Sequence, residues 1–223
     1  SGTLFEFDIE NVPNEISVTE FNFNDGNLPT GWIHSPYTIG NPCNVVSGNT
    51  PDNSKYFWAT TVGDTSDGLP NNKRYVGTSP VNVSYGGSIE FLIRYGADDH
   101  GTGRCEDPDL ANEEVYLYYS IDGGNSYQVF FDGWDIDSNK NKPWYQWYSN
   151  DISIPEVAQS SNTLFLWYQP SSNGDDWDNW GLDEIVVKAN PAPTASWTLD
   201  FGSGAIESVA ASGTTLVYSK LYP

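Results

Sequence analysis

The sequence predicts an all-β fold, an antiparallel β-sandwich of the jelly-roll type. Aromatic residues make up 15% of the 223 residues, and many fall in short runs such as residues 56–60 and 163–169. Segments rich in Gly, Asn, Ser and Pro separate these runs, and no run has the apolar spacing of an amphipathic helix. Short aromatic strands bounded by turn residues are typical of sandwiches and jelly rolls.

The clearest strands follow from alternation and from turn signals. In residues 88–95, Ile89, Phe91 and Ile93 alternate and share one face. The stretch Asp122-Gly123-Gly124-Asn125 predicts a hairpin turn between two strands. The predicted strands cover residues 4–10, 56–60, 88–95, 115–120, 127–131, 163–169 and 182–187.

Three segments are predicted along the chain. Residues 1–19 form an N-terminal strand and extension, and residues 20–189 form the main ligand-binding sandwich. Residues 190–223 begin with a stiff Asn-Pro-Ala-Pro-Thr linker. The tail behind it has possible strands at 197–201 and 215–218 and is too short for its own core. It is either a packed extension or the start of a next module.

The chain is expected to be part of a larger multidomain protein. It contains no Met, and it shows neither a signal peptide nor an apolar run long enough for a transmembrane helix. We therefore expect no direct insertion into a membrane.

The formal net charge is −21. This excess disfavours nucleic acid and anionic membranes as partners, because both carry negative charge. Two explanations fit an acidic surface. One is solvation in a salty or extracellular medium, and the other is partial neutralisation by bound Ca²⁺, which prefers carboxylate and carbonyl oxygens.

One acidic segment is a candidate cation site. Residues 98–109 hold five carboxylates within 12 positions, and these would repel one another unless solvated or shared by a cation. The spacing does not match an EF-hand loop. The alternative is a solvated acidic loop. The candidate metal ligands are Asp98, Asp99, Glu106, Asp107 and Asp109.

A second acidic segment, residues 173–180, alternates carboxylates with tryptophans and is followed by Asp183. This pattern suits a cation beside an aromatic ring, and its alternative is a wet loop whose tryptophans turn inward. We predict Asp175, Asp178 and Asp183 as metal ligands and Asp176 and Trp177 as ligand contacts. Asn22, Asn24 and Asp25 form a third candidate group, which would join Asp183 if the first and last strands pair.

Aromatic residues at 144–148 keep a sugar or peptide site open. Trp144, Tyr145 and Trp147 lie close in sequence to Asp135 and Asp137. Exposed rings beside carboxylates are common in such sites. Burial of the same rings in the core is the alternative.

The sequence does not predict an enzyme. Paired carboxylates are abundant, but 30 acidic residues make chance pairs inevitable, so they are no evidence for a glycosidase. The only histidines are His34 and His100, and there is no nucleophile elbow, phosphate loop or zinc motif. Residues 120–127 nearly fit an Asp box, with Tyr127 at the Trp position, and we interpret this motif as a structural hairpin turn.

The chain has two cysteines, Cys43 and Cys105. Their positions at loop edges favour a disulfide in a secreted domain. Two unrelated reduced thiols are the alternative.

Several motifs in a fixed order resemble a reelin repeat over about residues 20–188. The upstream Gly31-Trp32 and Cys43 also fall in the order of that family. The motifs are Phe91-x-x-Arg94-Tyr95-Gly96, Gly103-x-Cys105-x-x-Pro108, Glu114-Val115, Tyr118-Tyr119-Ser120-x-Asp122-x-Gly124, Trp167-Tyr168-Gln169-Pro170, Gly174, Asp178-x-Trp180 and Leu182-Asp183-Glu184-Ile185.

The resemblance implies a β-jelly-roll sandwich, a Cys43–Cys105 bridge, structural Ca²⁺ and a role in extracellular recognition. A full reelin repeat has two such subrepeats around a cysteine-rich module, whereas this chain has one and no further cysteines. A single acidic subdomain of this kind resembles the calcium-dependent peptide-binding modules of bacterial repeats-in-toxin adhesins.

The adhesin resemblance implies a partner and a location. Such modules bind the C-terminal residues of proteins on a target cell, and a bound cation would receive the peptide carboxylate. We therefore expect an extracellular, cell-surface module whose partners are peptide or protein termini. A lectin or carbohydrate-binding module with a glycan partner is the second hypothesis, and a structural spacer or signalling ectodomain is the third.

Overall fold

The described part of the chain is built from antiparallel β-strands. The computed structural model describes residues 15–40, 54–59, 73–96, 105–136, 141–174 and 177–192, and the backbone of 194–200 and 206–212. Two short 3-10 turns, Pro143–Tyr145 and Glu156–Ala158, interrupt the strands. The strands are β1 (Ser17–Phe21), β2 (Ile33–His34), β3 (Thr38–Gly40), β4 (Tyr56–Ala59), β5 (Arg74–Gly77), β6 (Gly87–Tyr95), β7 (Tyr116–Ser120), β8 (Gln128–Phe131), β9 (Tyr148–Ser153), β10 (Leu164–Gln169), β11 (Trp180–Ala189), β12 (Thr194–Asp200) and β13 (Ile206–Ser212).

Two sheets form the sandwich, which confirms the predicted fold class. The first has the order β3-β4-β11-β6-β9, with β1 also paired to β11. The second has the order β2-β5-β10-β7-β8. Neighbours in both sheets are antiparallel, and consecutive strands often lie in different sheets.

The core lies between the two sheets and is largely aromatic. Ile89, Phe91 and Ile93 are buried on one face of β6, as their alternation predicts. The ring of Phe91 contacts that of Trp167 in the opposite sheet, with centroids 5.1 Å apart. Burying a side chain of this size stabilises the fold by roughly 1.5–3 kcal/mol relative to leaving it exposed.

Strand β11 is irregular at its centre. Its register against β6 shifts between Asp183 and Val186, and Glu184 has a φ of 50°. An extra residue of this kind is a β-bulge, which bends the strand and re-aims its side chains. The half before the bulge pairs with β4 and the half after it pairs with β1.

Several strands of the structure were not predicted from the sequence. The structure adds β1, β2, β3, β5 and β9, none of which was predicted as a strand. Strands β2 and β3 span only two and three residues, and the sequence of β9, YSNDIS, is polar and mostly exposed. Predicted strands 4–10 and 215–218 lie outside the described residues.

The C-terminal segment forms a two-stranded hairpin of β12 and β13. Strand β12 matches the strand predicted from residue 197, whereas the position of β13 was not predicted. Strand β1 spans the predicted boundary between residues 19 and 20, and the three predicted segments stay predictions. Within the described residues, no helix has the length and apolar character to cross a bilayer.

Candidate functional site

Three carboxylates from two separate loops meet in one place. Asp109, Glu113 and Asp178 each offer an oxygen, and these oxygens lie within 4.8 Å of one another. Asp178 is 0% exposed and Glu113 is 2% exposed, whereas Asp109 is on the surface. This group, called the acidic cluster below, could hold a metal ion.

Backbone pairing brings the two predicted acidic loops together. The amide of Asn179 donates to the carbonyl of Glu106 over 2.7 Å, and the carbonyl of Asn179 accepts from the amide of Gly96 over 2.9 Å. Residue 179 is therefore held between the end of β6 and the segment that follows Cys105. This places Asp178 beside the Asp109 loop, although the two residues are far apart in sequence.

Glu113 is oriented by a tight turn and by a side chain from the other loop. Its Oε2 accepts from the amides of Asp109 and Leu110 over 3.1 and 2.8 Å. Its Oε1 accepts from Nδ2 of Asn173 over 2.8 Å. The carboxylate is thus fixed in place by donors from both loops.

Asp178 is held in an unusual conformation. Its φ is 56°, a left-handed backbone that Asp tolerates better than most residues. Oδ2 accepts a hydrogen bond from the amide of Asn173. Oδ1 is buried and accepts no hydrogen bond from the described residues, so it is available to a bound cation.

A buried arginine fixes the loop that carries Asp178. The guanidinium of Arg74 donates to the carbonyls of Gly174, Trp177 and Asp178 over 2.5, 2.7 and 2.7 Å. Nε2 of Gln169 donates to the carbonyls of Asp178 and Glu113 over 2.9 and 2.8 Å. These charge-assisted and neutral bonds anchor the loop from the sandwich interior.

The acidic cluster is electrostatically unfavourable without a counter-charge. The pKa of Asp178 is raised to about 7, chiefly by burial and also by the neighbouring Glu113 carboxylate, whereas the hydrogen bond from the Asn173 amide lowers it. Arg74 acts in the other direction. A cation bound to the three carboxylates would remove this penalty and hold Asp178 ionised.

The remaining predicted metal ligands lie elsewhere or outside the described residues. Asp98, Asp99 and Asp175 lie outside the described residues. Asp107 is completely buried and packs against Gly96, where a Cβ would lie 2.6 Å from the Cβ of Asp107. Asp183 is buried on β11 and accepts a hydrogen bond from Ser54 Oγ over 3.1 Å. Neither residue nor Glu106 belongs to the acidic cluster, and their roles as ligands stay predictions.

Glu113 was missed by the sequence reasoning. It lies four residues after Asp109 in the same acidic segment. A count of carboxylates continued past residue 109 would have included it. Sequence alone offers no sign that its side chain faces the second loop, since that depends on Asn173.

The predicted aromatic ligand contacts differ in exposure. Trp177 is 42% exposed beside Asp178, and Asp176 lies outside the described residues. Trp144 is half-buried, and its Nε1 donates to the carbonyl of Asp135. Trp147 packs on Tyr56 with ring centroids 5.0 Å apart. Tyr145 is only 4% exposed and is a core residue, so Trp177 is the best placed of the group to meet a ligand.

The Asp box is a structural turn, as predicted. Oδ1 of Asp122 accepts from the amide of Ser126 and from the hydroxyl of Ser120. Ser120 Oγ also accepts from the amide of Gly124 over 2.9 Å. The Ser126 hydroxyl donates to Oδ2 of Asp122. This bond contributes most to lowering the pKa of Asp122 to about 2, and the Ser120 hydroxyl and the Ser126 amide contribute in the same direction. The motif joins β7 to β8 and has no catalytic partner among the described residues.

Cys105 is disulfide-bonded in the structure, and no cysteine among the described residues is free. Cys43 lies outside the described residues. The Cys43–Cys105 pairing therefore stays a prediction.

Comparison with known proteins finds similar solved domains and a family model that matches the chain. The chain is similar over 78% of its length to the K1 cleaved adhesin domain of Lys-gingipain from Porphyromonas gingivalis W83, with 99% of that chain covered, 14% identity and a TM-score of 0.49. It is similar over 77% to a CBM35 from Paenibacillus barcinonensis, with 99% of that chain covered, 10% identity and a TM-score of 0.38. The model for Reelin subrepeat B matches residues 66–188, which is more than half of the chain.

Proposed function

Because the chain belongs to the reelin subrepeat B family, we propose that it is a calcium-dependent ligand-binding module of a cell-surface adhesin and not an enzyme. The observation that carries the proposal is the acidic cluster of Asp109, Glu113 and Asp178. Calcium bound there orders two loops and receives part of the ligand. The ligand is the C-terminal segment of a protein on another cell.

The geometry of the cluster fits calcium. Ca²⁺ binds oxygens at roughly 2.3–2.6 Å, so two ligand oxygens on opposite sides of one ion lie at most about 5 Å apart. The three carboxylate oxygens lie within 4.8 Å of one another. The unpartnered and buried Oδ1 of Asp178 is the donor that most requires a cation.

The chemistry of the donors favours calcium over a transition metal. All three side chains offer hard oxygens, and the cluster contains neither His nor Cys. Zinc sites in proteins favour nitrogen and sulfur donors. Calcium also tolerates irregular coordination better than magnesium does, which suits ligands from two loops.

One side of the cluster is open to a ligand. Asp109 is exposed, whereas the other two carboxylates are buried, so a bound cation would complete its coordination with water or with ligand oxygens on the side of Asp109. In a protein with a net charge of −21, such a cation is what allows an anionic peptide terminus to approach. Trp177, 42% exposed beside Asp178, offers an apolar surface to the side chain of the terminal residue.

The environment of the described histidine supports a non-catalytic role. His34 Nδ1 lies 3.0 Å from the carbonyl of Ser35, and its ring packs on Tyr37 with centroids 4.7 Å apart. It is not part of the acidic cluster. General base catalysis needs a base within hydrogen-bond reach of the group it activates, and Nδ1 of His34 is placed against its neighbouring carbonyl instead.

Thermal unfolding in calcium and in excess chelator tests the cation site. A ligand that binds only the native state stabilises it by roughly 3 kcal/mol at 100 times its Kd, so the wild-type protein should melt several degrees higher in calcium. Glu113→Gln and Asp178→Asn should lose most of this shift. Glu156→Gln, an exposed carboxylate in a separate turn, is the matched control and should keep it. Equal shifts in all four proteins would exclude the cluster.

Peptide binding tests the second part of the proposal. A library of peptides with free C-termini should yield binders in calcium, and amidation of the terminus should abolish their binding because the carboxylate is lost. The chelator should have the same effect on wild-type protein. Binding that survives amidation would contradict recognition of the terminus while leaving the cation site intact.

A further inference from the structure

A groove runs over the outward face of the five-stranded sheet. It encloses about 640 Å³, within the usual range of small-ligand sites. Four of the residues that line it are tyrosines, namely Tyr75, Tyr118, Tyr127 and Tyr168. All four are half-buried, and we call this feature the tyrosine groove.

Strand register explains why phenol rings collect on this face. Tyr75 on β5 lies opposite Tyr168 on β10, and Tyr118 on β7 lies next along the same face. The residues next to these tyrosines in sequence, such as Val76 and Trp167, point into the core and are 0% exposed. Because side chains alternate across a strand, the same pattern that builds the core places these tyrosines outside.

The hairpin of the Asp box forms one wall. Gly123, Gly124 and Tyr127 line the groove. A Cβ at Gly124 would lie 3.0 Å from the hydroxyl oxygen of Tyr127, and Gly124 has a φ of 89°. Ser126, the residue before Tyr127, donates to Asp122 from its amide and its hydroxyl. These bonds therefore help to position Tyr127 in the groove.

The floor is closed by two aliphatic side chains. Ile33 and Leu166 line the groove on either side of Gly77, where an added Cβ would meet Ile33 Cγ1 at 2.9 Å and the carbonyl of Phe165 at 3.0 Å. The absence of a side chain at Gly77 lets the neighbouring strands present a continuous apolar surface beneath the rings.

The lining formed by the described residues carries little charge. Among them there is no carboxylate, and the one cation, Lys73, lies over the ring of Tyr168 with Nζ 5.4 Å from the centroid. Burial raises the pKa of Tyr118 and of Tyr127, so both hydroxyls stay protonated near neutral pH. The groove therefore presents flat rings edged by hydroxyl groups that both donate and accept hydrogen bonds.

We propose that the tyrosine groove is a second binding site and that its ligand is a neutral oligosaccharide. Sugar rings offer apolar C–H faces to aromatic rings and hydroxyl groups to phenol oxygens. The strongly acidic protein, with a net charge of −21, disfavours an anionic ligand in a groove whose single lysine is already placed over a ring. A wholly apolar ligand would bury the tyrosine hydroxyls without partners.

This site is independent of the acidic cluster. None of Asp109, Glu113 and Asp178 lines the groove. Glu113→Gln should therefore lose the calcium-dependent stabilisation and still bind sugar. The two proposals can fail separately.

The test is titration calorimetry with cellohexaose, maltohexaose, mannohexaose and N-acetylchitohexaose, with hexagalacturonic acid as the charged probe. At least one neutral hexasaccharide should bind wild-type protein more tightly than the uronate. Tyr118→Ala and Tyr168→Ala should each weaken that binding about tenfold, the equivalent of one lost ring contact together with its hydroxyl. Tyr118→Phe should retain part of it, because the ring remains.

Tyr85→Ala is the matched control. Tyr85 is 49% exposed and does not line the groove, so its loss should leave sugar binding unchanged. Each variant must keep the wild-type circular dichroism spectrum and a cooperative thermal unfolding transition, which report that it is folded whether or not calcium binds. The proposal is overturned if no neutral sugar binds, if only the uronate or a peptide binds, or if both alanine variants bind sugar as tightly as Tyr85→Ala.

Discussion

Asp178 combines three energetically unfavourable features in one residue. Its backbone is left-handed with a φ of 56°, its side chain is fully buried, and one of its oxygens has no hydrogen-bond partner among the described residues. Strained or unsatisfied groups persist where the surrounding structure determines them and where function uses them. In our account, that use is calcium binding.

The raised pKa of Asp178 predicts how stability changes with pH in the absence of calcium. An Asp ordinarily ionises near 3.9, whereas burial raises the pKa of Asp178 to about 7. Its contribution is therefore fully present at pH values below the ordinary pKa and is lost as pH rises through about 7. Urea unfolding in chelator should show this loss between pH 4 and 7, and Asp178→Asn should not.

Calcium should reverse this dependence. Because the ion binds the ionised carboxylate, its affinity should fall as pH drops below about 7. Calcium titrations at pH 7.5 and pH 5.5 measure the difference directly. An affinity that is the same at both pH values would show that Asp178 does not titrate on binding.

Arg74 acts on the site through the loop that carries Asp178. Replacement by Met removes the donors to the carbonyls of Gly174, Trp177 and Asp178, and a buried acceptor left without its donor typically costs about 1–3 kcal/mol. We expect lower stability in urea and weaker calcium binding. Lys73→Met, a change at the neighbouring residue whose side chain faces the groove, should leave calcium binding unaltered.

At the scale of elements, the β7–β8 hairpin connects the Asp box to the tyrosine groove. Asp122→Ala removes the acceptors for Ser126 and Ser120 and should loosen the turn that holds Tyr127. We expect the Ser126 amide to exchange with deuterium about tenfold faster, in proportion to the loss of a hydrogen bond of roughly 1.4 kcal/mol. Sugar binding should weaken, whereas the calcium shift should stay. Unchanged exchange would show that other contacts hold the turn.

The success of the sequence in predicting elements depended on their composition. Strands β4, β6, β7 and β10 are rich in aromatic and apolar residues and were predicted. Strand β5 has only four residues, RYVG, and its first is a buried arginine, which no hydrophobic pattern reveals. Edge strand β9 is polar. Such strands are defined by the partners they pair with and not by their own periodicity.

The same limit applies to the candidate site. Asp109 and Asp178 were both predicted as ligands, but in two separate acidic segments. Their meeting depends on Asn179 pairing with Glu106 and on Arg74 anchoring the second loop. These are long-range contacts without a local signature. The tyrosine groove was not predicted either, because it needs the register of three strands from different parts of the chain.

At the scale of the whole molecule, the predicted Cys43–Cys105 disulfide would constrain the segment that carries one of the acidic loops. Cys105 is bonded, and Cys43 is the only other cysteine in the chain. Closing a loop of 62 residues stabilises the fold by about 4 kcal/mol in the chain-entropy model. Peptide mapping under non-reducing conditions should recover a Cys43–Cys105 peptide, and reduction should lower the melting temperature.

In our proposal, the net charge of the whole chain links calcium binding to ligand binding. A protein with a net charge of −21 repels anions at its surface, and its one described acidic cluster of metal-binding geometry is where that repulsion would be locally reversed. On this account the module carries two kinds of recognition. The proposed cation-dependent site for a peptide terminus lies at the loops, and the tyrosine groove lies on the sheet.

The most direct test of the central claim is a crystal structure of the protein grown with millimolar calcium, with anomalous differences collected to identify the ion. Our account predicts one calcium ion within roughly 2.3–2.6 Å of oxygens from Asp109, Glu113 and Asp178, including the buried Oδ1 of Asp178. A water molecule or a carboxyl–carboxylate hydrogen bond in that position, with calcium bound elsewhere or not at all, would contradict it.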